Sequence, residues 1–331
     1  MSNKRSTMAA VDQYPSSEME NKLNKKNTSD QKNMNSVVQK YIAASRASST
    51  KRAYASDVRH FLAHGGSFPC TPKRLAKYLA ESANSGLAVA TLERRVTAIH
   101  KAHLEQKRKS PVHSEIVKQV IQGIRRTQGT KQRQVKPLMK ADLLEALSAI
   151  EHQQLPLKAA RDQALLLVGF ASAMRRSELV LIRMEHLNHT ANGIEIKLPI
   201  SKTDQERRGR TIFIPRAIAS EHCPVTALAH WLKVAGINEG YVFRAVNRHG
   251  RIANQGLSPQ SVALIVKAVM TQVGVDATNV SGHSLRAGFC TCAAEAGLQL
   301  WQIRDQTGHK SNVTLLKYIR RAAQQAVPSL L

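Results

Sequence analysis

Between Arg125 and Lys136 the chain carries five basic residues, one glycine, no acid and, apart from Val135, no large apolar side chain. A stretch of that make-up has no face to bury, so it divides the chain into two units that must each build a core. Pro137 marks its end. A basic connector suits a clamp around a duplex, because it can track phosphates while the flanking units sit on opposite faces. A plain flexible linker accounts for the same residues.

Ahead of the connector the apolar spacing is helical. Residues 1–35 are rich in Asn, Ser and Lys, with Met8, Val11 and Leu23 too sparse to form a stripe, and are expected to be a disordered tail. Val37, Val38, Tyr41 and Ile42 fit a short helix. Thr50 precedes a second, with Ala53, Tyr54, Val58, Phe61 and Leu62, closed by Gly65-Gly66. Thr71-Pro72 opens a third through Leu75, Tyr78 and Leu79. Thr91 is the expected cap of a fourth, whose apolar residues Leu92, Val96 and Ile99 leave Arg94, Arg95, Lys101 and Lys107 on or near an outer surface. Ser114-Glu115 starts a fifth, through Val117, Val120, Ile121 and Ile124. Residues 36–126 therefore read as an all-helical bundle, 127–137 as the basic linker and 138–331 as the second unit.

In that second unit the period changes once. Leu143, Leu144, Leu147 and Ile150 are helical, and residues 161–183 form one or two strongly apolar helices around Arg175. Then Ile194, Ile196, Leu198 and Ile200 alternate, as do Ile212 and Ile214 against Thr211, Phe213 and Pro215, with a polar Lys202-to-Arg210 turn between them. That is a small antiparallel sheet in an otherwise helical unit. Pro224 to Val234 and Ser258 to Val273 return to helix, with Ser258-Pro259 supplying a cap and first-turn proline. The fold class expected is mainly α with a small antiparallel β-sheet in the C-terminal unit.

Lys and Arg number 49 against 23 Asp and Glu, a formal charge of +26. A field that strong favours a polyanion, either nucleic acid or an acidic membrane surface. No apolar run approaches the roughly 18 residues of a membrane-spanning helix, and Met1-Ser2-Asn3-Lys4-Arg5 leads into polar sequence rather than a signal-peptide core. These features lead to the expectation of a cytoplasmic, nucleoid-associated protein with nucleic acid rather than a membrane as the partner. Cys70, Cys223, Cys290 and Cys292 read as buried reduced thiols. Cys290-Thr291-Cys292 lacks the two-residue gap of a zinc knuckle, and nothing in the spacing asks for a metal among Cys290, Cys292, His283 and His309. No metal or other cofactor is expected.

The chemistry-bearing residues gather late. His283 and Arg286 lie three apart, on one helical face; Gly308-His309-Lys310 follows, then Tyr318, nine residues after His309. Arginine suits a phosphate because its planar fork donates two parallel charge-assisted bonds at any working pH. Taken alone, a His-x-x-Arg pair fits a solvated helix face and a tyrosine fits a core residue with a wet tip. Together, phosphate-gripping groups followed by a hydroxyl that can attack suggest phosphoryl transfer through a covalent tyrosine intermediate. Upstream, Ala173-Met174-Arg175-Arg176-Ser177-Glu178 sets a carboxylate three residues from Arg175.

In that order Arg175, Lys202, His283, Arg286, His309 and Tyr318 resemble the active-site series of the tyrosine recombinase, or phage integrase, family, and within it the Cre-like recombinases. The resemblance spans Ser36 to the C-terminus. It departs from the family box at Ala173, where a glycine is usual, and at Arg176, a second cation beside Arg175; Lys197 is the alternative to Lys202. The resemblance implies a helical core-binding domain and a catalytic domain forming a C-shaped clamp on DNA. It implies Tyr318 as nucleophile, Arg175 and Arg286 as phosphate clamp, His283 as general base, Lys202 as general acid, His309 as a hydrogen-bond donor to the phosphate and Glu178 as an orienting group. Arg94, Arg95, Lys101, Lys131 and Arg133 are the candidate DNA contacts. It further implies a homodimer on one inverted-repeat site of double-stranded DNA and a homotetramer in synapsis, exchanging strands through a Holliday junction in the service of a mobile element. The apolar residues after Tyr318, Ala322, Ala323, Val327, Leu330 and Leu331, would contact a neighbouring subunit or pack on their own. A non-catalytic architectural protein on the same fold and a type IB topoisomerase are the competing readings.

Overall fold

The computed structural model describes residues 38–42, 44–45, 47–130, 135–153, 155–198 and 209–325. The expected tail, Lys131, Arg133, Ile200 and Lys202 lie outside the described residues, as do the side chains beyond Ile319. The chain splits into two compact units, Met1–Gln132 and Arg133–Leu331.

The first unit is helical throughout its described length: residues 38–42, then α1 (Ser48–Ala63), α2 (Pro72–Asn84), α3 (Val89–Glu105), a 3-10 turn at Pro111–His113 and α4 (Glu115–Gln128). Thr71 caps α2, its hydroxyl accepting the Arg74 N–H at 3.2 Å, and Pro72 occupies the first turn, where no amide bond is lost. The helices bury Phe61, Leu75, Leu79, Ile99 and Val117. His103, fully buried, joins α3 to the loop before α2: its Nδ1 bonds the Ile99 carbonyl at 2.8 Å and its Nε2 accepts the Cys70 N–H at 3.1 Å.

Several boundaries differ from expectation. Thr50 lies inside the first turn of α1, which follows Ala47. Thr91 lies inside α3, because Gly86, at φ +85°, has already turned the chain and the helix starts at Val89. Helix α4 runs through Arg125 and Arg126 to Gln128, past the expected end. Arginine and glutamine favour helix, the two cations sit at its negative end, and the Gln128 amide donates to the Ala83 carbonyl at 2.7 Å.

Arg95 is not on an outer surface. It is 8% exposed, its Nη1 donates to the Tyr78 hydroxyl at 3.2 Å, and its Nε lies 3.7 Å from Asp57. Asp57 is itself buried, and a carboxylate removed from water needs cations beside it, which turns Arg95 inward. Arg94 grips the same carboxylate through two bonds of 2.8 and 2.9 Å while staying half exposed. Lys101 places its ammonium 5.0 Å from the Tyr54 ring centre.

The second unit contains α5 (Lys140–Gln153), α6 (Pro156–Ala171), the single turn α7 (Arg176–Leu179), α8 (Pro224–Val234), α9 (Pro259–Gln272), α10 (His283–Glu295), α11 (Leu300–Thr307) and α12 (Asn312–Gln325). Its antiparallel sheet has three strands in the order β1 (Leu187–Thr190), β2 (Gly193–Leu198), β3 (Arg210–Pro215), with Ile194 opposite Ile214 and Ile196 opposite Ile212. Those four isoleucines and Leu198 face the core, as the alternation requires. Strand β1 was not anticipated, since Leu-Asn-His-Thr is a polar edge without alternation. Nor was a second hairpin, β4 (Arg244–Val246) with β5 (Ile252–Gly256), whose residues are partly buried or exposed and none fully buried. Fully buried Trp231 on α8 satisfies its indole N–H on the Val242 carbonyl at 2.9 Å.

The segment entering this unit is pinned along α10. Lys136 N–H bonds the Asn279 carbonyl at 2.8 Å and Leu138 N–H bonds the Ser284 carbonyl at 3.0 Å. A Cβ on Gly288 would stand 1.8 Å from the Leu138 carbonyl oxygen, so only glycine lets the helix and the incoming segment approach this closely. Gly288→Ala is expected to destabilise the second unit by about 1–3 kcal/mol, the usual cost of forcing extra volume into a packed site. A urea melt checks this; an unchanged midpoint contradicts it.

Candidate active site

Helix α10 presents Arg286 on its buried face, 2% exposed. A guanidinium that deep in the protein must spend its donors on fixed acceptors. Nη1 donates to the Ala173 carbonyl at 2.7 Å and to the Thr307 carbonyl at 2.6 Å, and Nη2 lies 3.0 Å from His309 Nε2. One side chain thus ties α10 to the loop after α6 and to the end of α11. Burial and the nearby Arg175 charge hold its pKa down to about 10, still well above neutrality.

Arg175 follows that loop in extended backbone, at φ −70° and ψ 147°, immediately before α7, rather than within a helix as its spacing suggested. Glu178, 2% exposed, accepts the Arg175 backbone N–H at 2.9 Å and its Nη1 at 2.7 Å. The carboxylate therefore caps the turn and orients the guanidinium in one stroke. Arg176 points elsewhere: with Val135, Lys267 and Asn279 it lines a separate cavity of about 290 Å³. Ala173 sits at φ +50°, where an L-residue pays about 1–2 kcal/mol relative to the right-handed region. That conformation is why glycine suits the position, and the Arg286 bond to the Ala173 carbonyl helps to hold it.

Helix α11 ends at Gly308, left-handed at φ +65°, and the turn delivers His309 to Arg286. The His309 ring is 8% exposed; its Nδ1 lies 2.8 Å from the Thr307 hydroxyl, which in turn lies 2.7 Å from the Ile303 carbonyl. Burial and the charges of Arg286, Arg175, Arg210 and His283 push its pKa down to about 3, so the ring is neutral at working pH. Because a guanidinium only donates, Nε2 accepts from Arg286 in this arrangement.

Arg210, at the start of β3, is a cation the sequence reading passed over. Its Nη1 donates to the Asp305 and Gln306 carbonyls at 3.1 and 2.8 Å, capping α11, while buried Nη2 has no hydrogen-bond partner among the described residues and lies 4.0 Å from Glu178. A Cβ on Gly308 would stand 2.8 Å from the Arg210 guanidinium carbon, so the glycine makes room for it. Gln306 adds bonds to the Ala171 and Phe213 carbonyls at 2.9 and 3.0 Å. Nothing in a basic, loop-flanked Gly-Arg-Thr distinguished Arg210 from its neighbours in sequence; Thr307 had no signal beyond standing next to Gly308-His309.

Tyr318, on α12, is half buried, and its ring centre is 5.5 Å from that of His309. The Thr291 hydroxyl on α10 donates to the Tyr318 carbonyl at 3.2 Å, fixing the height of α12 along α10. His283 opens α10 at the surface, its charge bearing on His309. Five of the expected residues, Arg175, Glu178, Arg286, His309 and Tyr318, are thus linked by contact or through-space charge, with His283 at the rim. Cys290, one turn from Arg286, is pushed up by burial to about 11 and stays a thiol. No cluster of three or more His, Cys, Asp or Glu side chains among the described residues could hold a metal, and none of the described helices is long and apolar enough to cross a membrane.

The pattern of the phage integrase family matches residues 136–325. An integrase/recombinase XerD homolog of Selenomonas ruminantium is 38% identical over 288 residues, spanning 85% of this chain and 84% of its own length. Among solved structures, the XerH site-specific recombinase bound to a palindromic difH substrate superposes with a TM-score of 0.59 at 18% identity, over 77% of this chain and 70% of that one. A lambda integrase tetramer bound to a Holliday junction gives 0.57 at 18%, over 86% and 76%. At such identities the structural likeness is one of fold.

The His309 environment sets a pH dependence. Its folded pKa lies near 3, below the ordinary 6.5, so between those values the unfolded chain binds a proton that the folded one refuses. Stability therefore falls as pH drops from about 6.5 towards 3. His309→Gln is expected to flatten that part of the stability curve, read from urea midpoints at successive pH values; a slope equal to wild type contradicts the assignment.

Proposed function

The chain belongs to the phage integrase family, the tyrosine recombinases, and on that premise we propose that it cuts and rejoins double-stranded DNA at specific sites through a 3′-phosphotyrosine at Tyr318. The observation that carries this reading is Arg286, whose one guanidinium bonds both the loop that leads to Arg175 and the turn that leads to His309, with the Tyr318 ring beside that histidine.

A phosphodiester is already anionic, and attack at phosphorus builds more charge on its non-bridging oxygens. Fixed cations aimed at those oxygens lower the barrier without reorganising as charge develops. Arg175 and Arg286 form that clamp, and Glu178 keeps the first of them aimed. A phenol of pKa about 10 needs help to attack at neutral pH; His283 accepts its proton, favoured by the cations around it. Tyr318 Oη bonds to phosphorus as the bond to the 5′-oxygen breaks, and Lys202 protonates the departing oxygen. The phosphotyrosine conserves the energy of the broken ester, so a free 5′-hydroxyl can reverse the step on the same or another strand. That exchange consumes neither nucleotide nor metal.

The helical first unit serves as the core-binding domain. Lys101 and the outer edge of Arg94 contact phosphates there, Lys131 and Arg133 contact them from the connector, and Arg95 supports Arg94 from within. The complex on one inverted-repeat site is a dimer. Synapsis brings two such dimers into a tetramer that passes through a Holliday junction, an assembly for which the lambda integrase tetramer is the precedent. The protein acts in the cytoplasm on nucleoid or mobile-element DNA.

Tyr318→Phe is expected to bind DNA normally and to form no covalent adduct on a nicked suicide duplex, read by denaturing gel; an adduct that survives the change removes Tyr318 from the role. Lys202→Ala is expected to slow cleavage of a normal 5′-oxygen by about 10²–10⁴-fold, the usual worth of a general acid, and to leave a 5′-thiolate substrate far less affected. Equal losses on the two substrates contradict the acid role. Relaxation of plasmids lacking any target site, by monomeric protein, would favour the topoisomerase reading instead.

A further inference from the structure

We propose that Thr307 is a positioning residue for strand cleavage, whose hydroxyl matches both ring tautomers of His309, accepting from Nδ1 in the free protein and donating to it when a phosphate arrives. This rests on the recombinase reading and deepens it at one nitrogen atom.

The donors of Arg286 fix where the ring proton of His309 sits, and the Thr307 hydroxyl has the Ile303 carbonyl as its nearer acceptor and the Arg304 carbonyl at 3.3 Å. Arg286 Nη2, 3.0 Å from His309 Nε2, has only protons to offer, so Nε2 offers its lone pair. The neutral ring then carries its proton on Nδ1, 2.8 Å from Thr307 Oγ1, and Thr307 directs its own proton to the Ile303 carbonyl at 2.7 Å. Thr307 is fully buried, Arg286 2% exposed and His309 8% exposed, so solvent does not substitute for these partners.

That arrangement serves the free protein and opposes the reaction. With the proton on Nδ1, a ring facing the scissile phosphate through Nε2 would set a lone pair against an anionic oxygen. When the phosphate takes the Arg286 donor, Nε2 loses its partner and must acquire a proton of its own. One proton leaves Nδ1 and one reaches Nε2, both exchanged with water through the 8% of His309 that stays exposed, so the ring stays neutral. Nδ1 is then an acceptor needing a donor, and a rotation about the Thr307 Cβ–Oγ bond supplies it. The Ile303 carbonyl gives up that bond cheaply, because in an α-helix it also accepts the backbone N–H four residues on. A hydroxyl serves both states, whereas a methyl group of the same size serves neither.

The test uses the full chain and a nicked duplex carrying its mapped cleavage site. Thr307→Val is expected to slow single-turnover adduct formation by about 10- to 100-fold, less than the about 10²–10³ cost of deleting an oxyanion donor outright, with DNA affinity and melting temperature unchanged. Thr307→Ser restores the rate to within about threefold, and in a His309→Ala background Thr307→Val costs nothing more. Nitrogen-15 spectra of histidine-labelled protein show His309 protonated on Nδ1 when free and on Nε2 when bound to DNA carrying the site. A wild-type rate in Thr307→Val, losses that add to those of His309→Ala, or a doubly protonated ring in the complex each overturn the proposal. Where valine does not fold, Thr307→Ala takes its place with the same outcomes. If the wild-type protein forms no adduct on any DNA, the recombinase reading falls, while the spectrum of the free protein still reports the resting tautomer.

Discussion

A single buried charge organises the catalytic unit. Arg286 stands 2% exposed in the core side of α10, and breaking a buried charge away from its partners costs roughly 3–5 kcal/mol. The Ala173 carbonyl, the Thr307 carbonyl and His309 Nε2 are therefore required where they are. Meeting that demand brings together three segments far apart in sequence and sets the loop before Arg175, the end of α11 and the start of α10 around one point. The left-handed Ala173 and Gly308 are the backbone consequences: each turns the chain sharply enough to present a carbonyl or a ring to the guanidinium.

The same arrangement leaves the site short of negative charge. Arg175, Arg210 and Arg286 all bear on His309, and Glu178 is the buried carboxylate among them. Arg210 keeps one buried nitrogen without a hydrogen-bond partner among the described residues. Burial, and after it the repulsion of the Arg175 charge, lowers the values of both Arg286 and Arg210. Structure elsewhere maintains that repulsion, and an anionic ligand relieves it. A phosphodiester is the ligand that the cluster is electrostatically prepared to receive.

Much of this was legible in the residues. The single change of period at Ile194–Leu198 located the sheet, Ser258-Pro259 and Thr71-Pro72 located helix starts, and the ordered set from Arg175 to Tyr318 gave candidates of which Arg175, Arg286, His309 and Tyr318 lie near one another. What stayed hidden follows a pattern. Arg95 looked like a surface cation because helical spacing gives a face but not its partner, and buried Asp57, 38 positions earlier, decides which way it turns. Arg210 and Thr307 act through backbone carbonyls and a hydroxyl, contacts that leave no mark in residue type. The hydrogen bonds of His309 stayed hidden for the same reason: sequence supplies the imidazole, but its partners are Arg286 and Thr307. Strands β1, β4 and β5 were missed because their side chains are mostly polar or half exposed, so neither face alternates.

The central claim is that Arg175 and Arg286 hold one phosphate within reach of Tyr318. A crystal structure of the covalent complex, trapped on a nicked duplex, tests it most directly. Both guanidiniums are expected within about 2.7–3.2 Å of non-bridging oxygens of the phosphotyrosine at Tyr318. A phosphate joined to a different side chain, or one joined to Tyr318 with neither arginine in contact, would contradict the account.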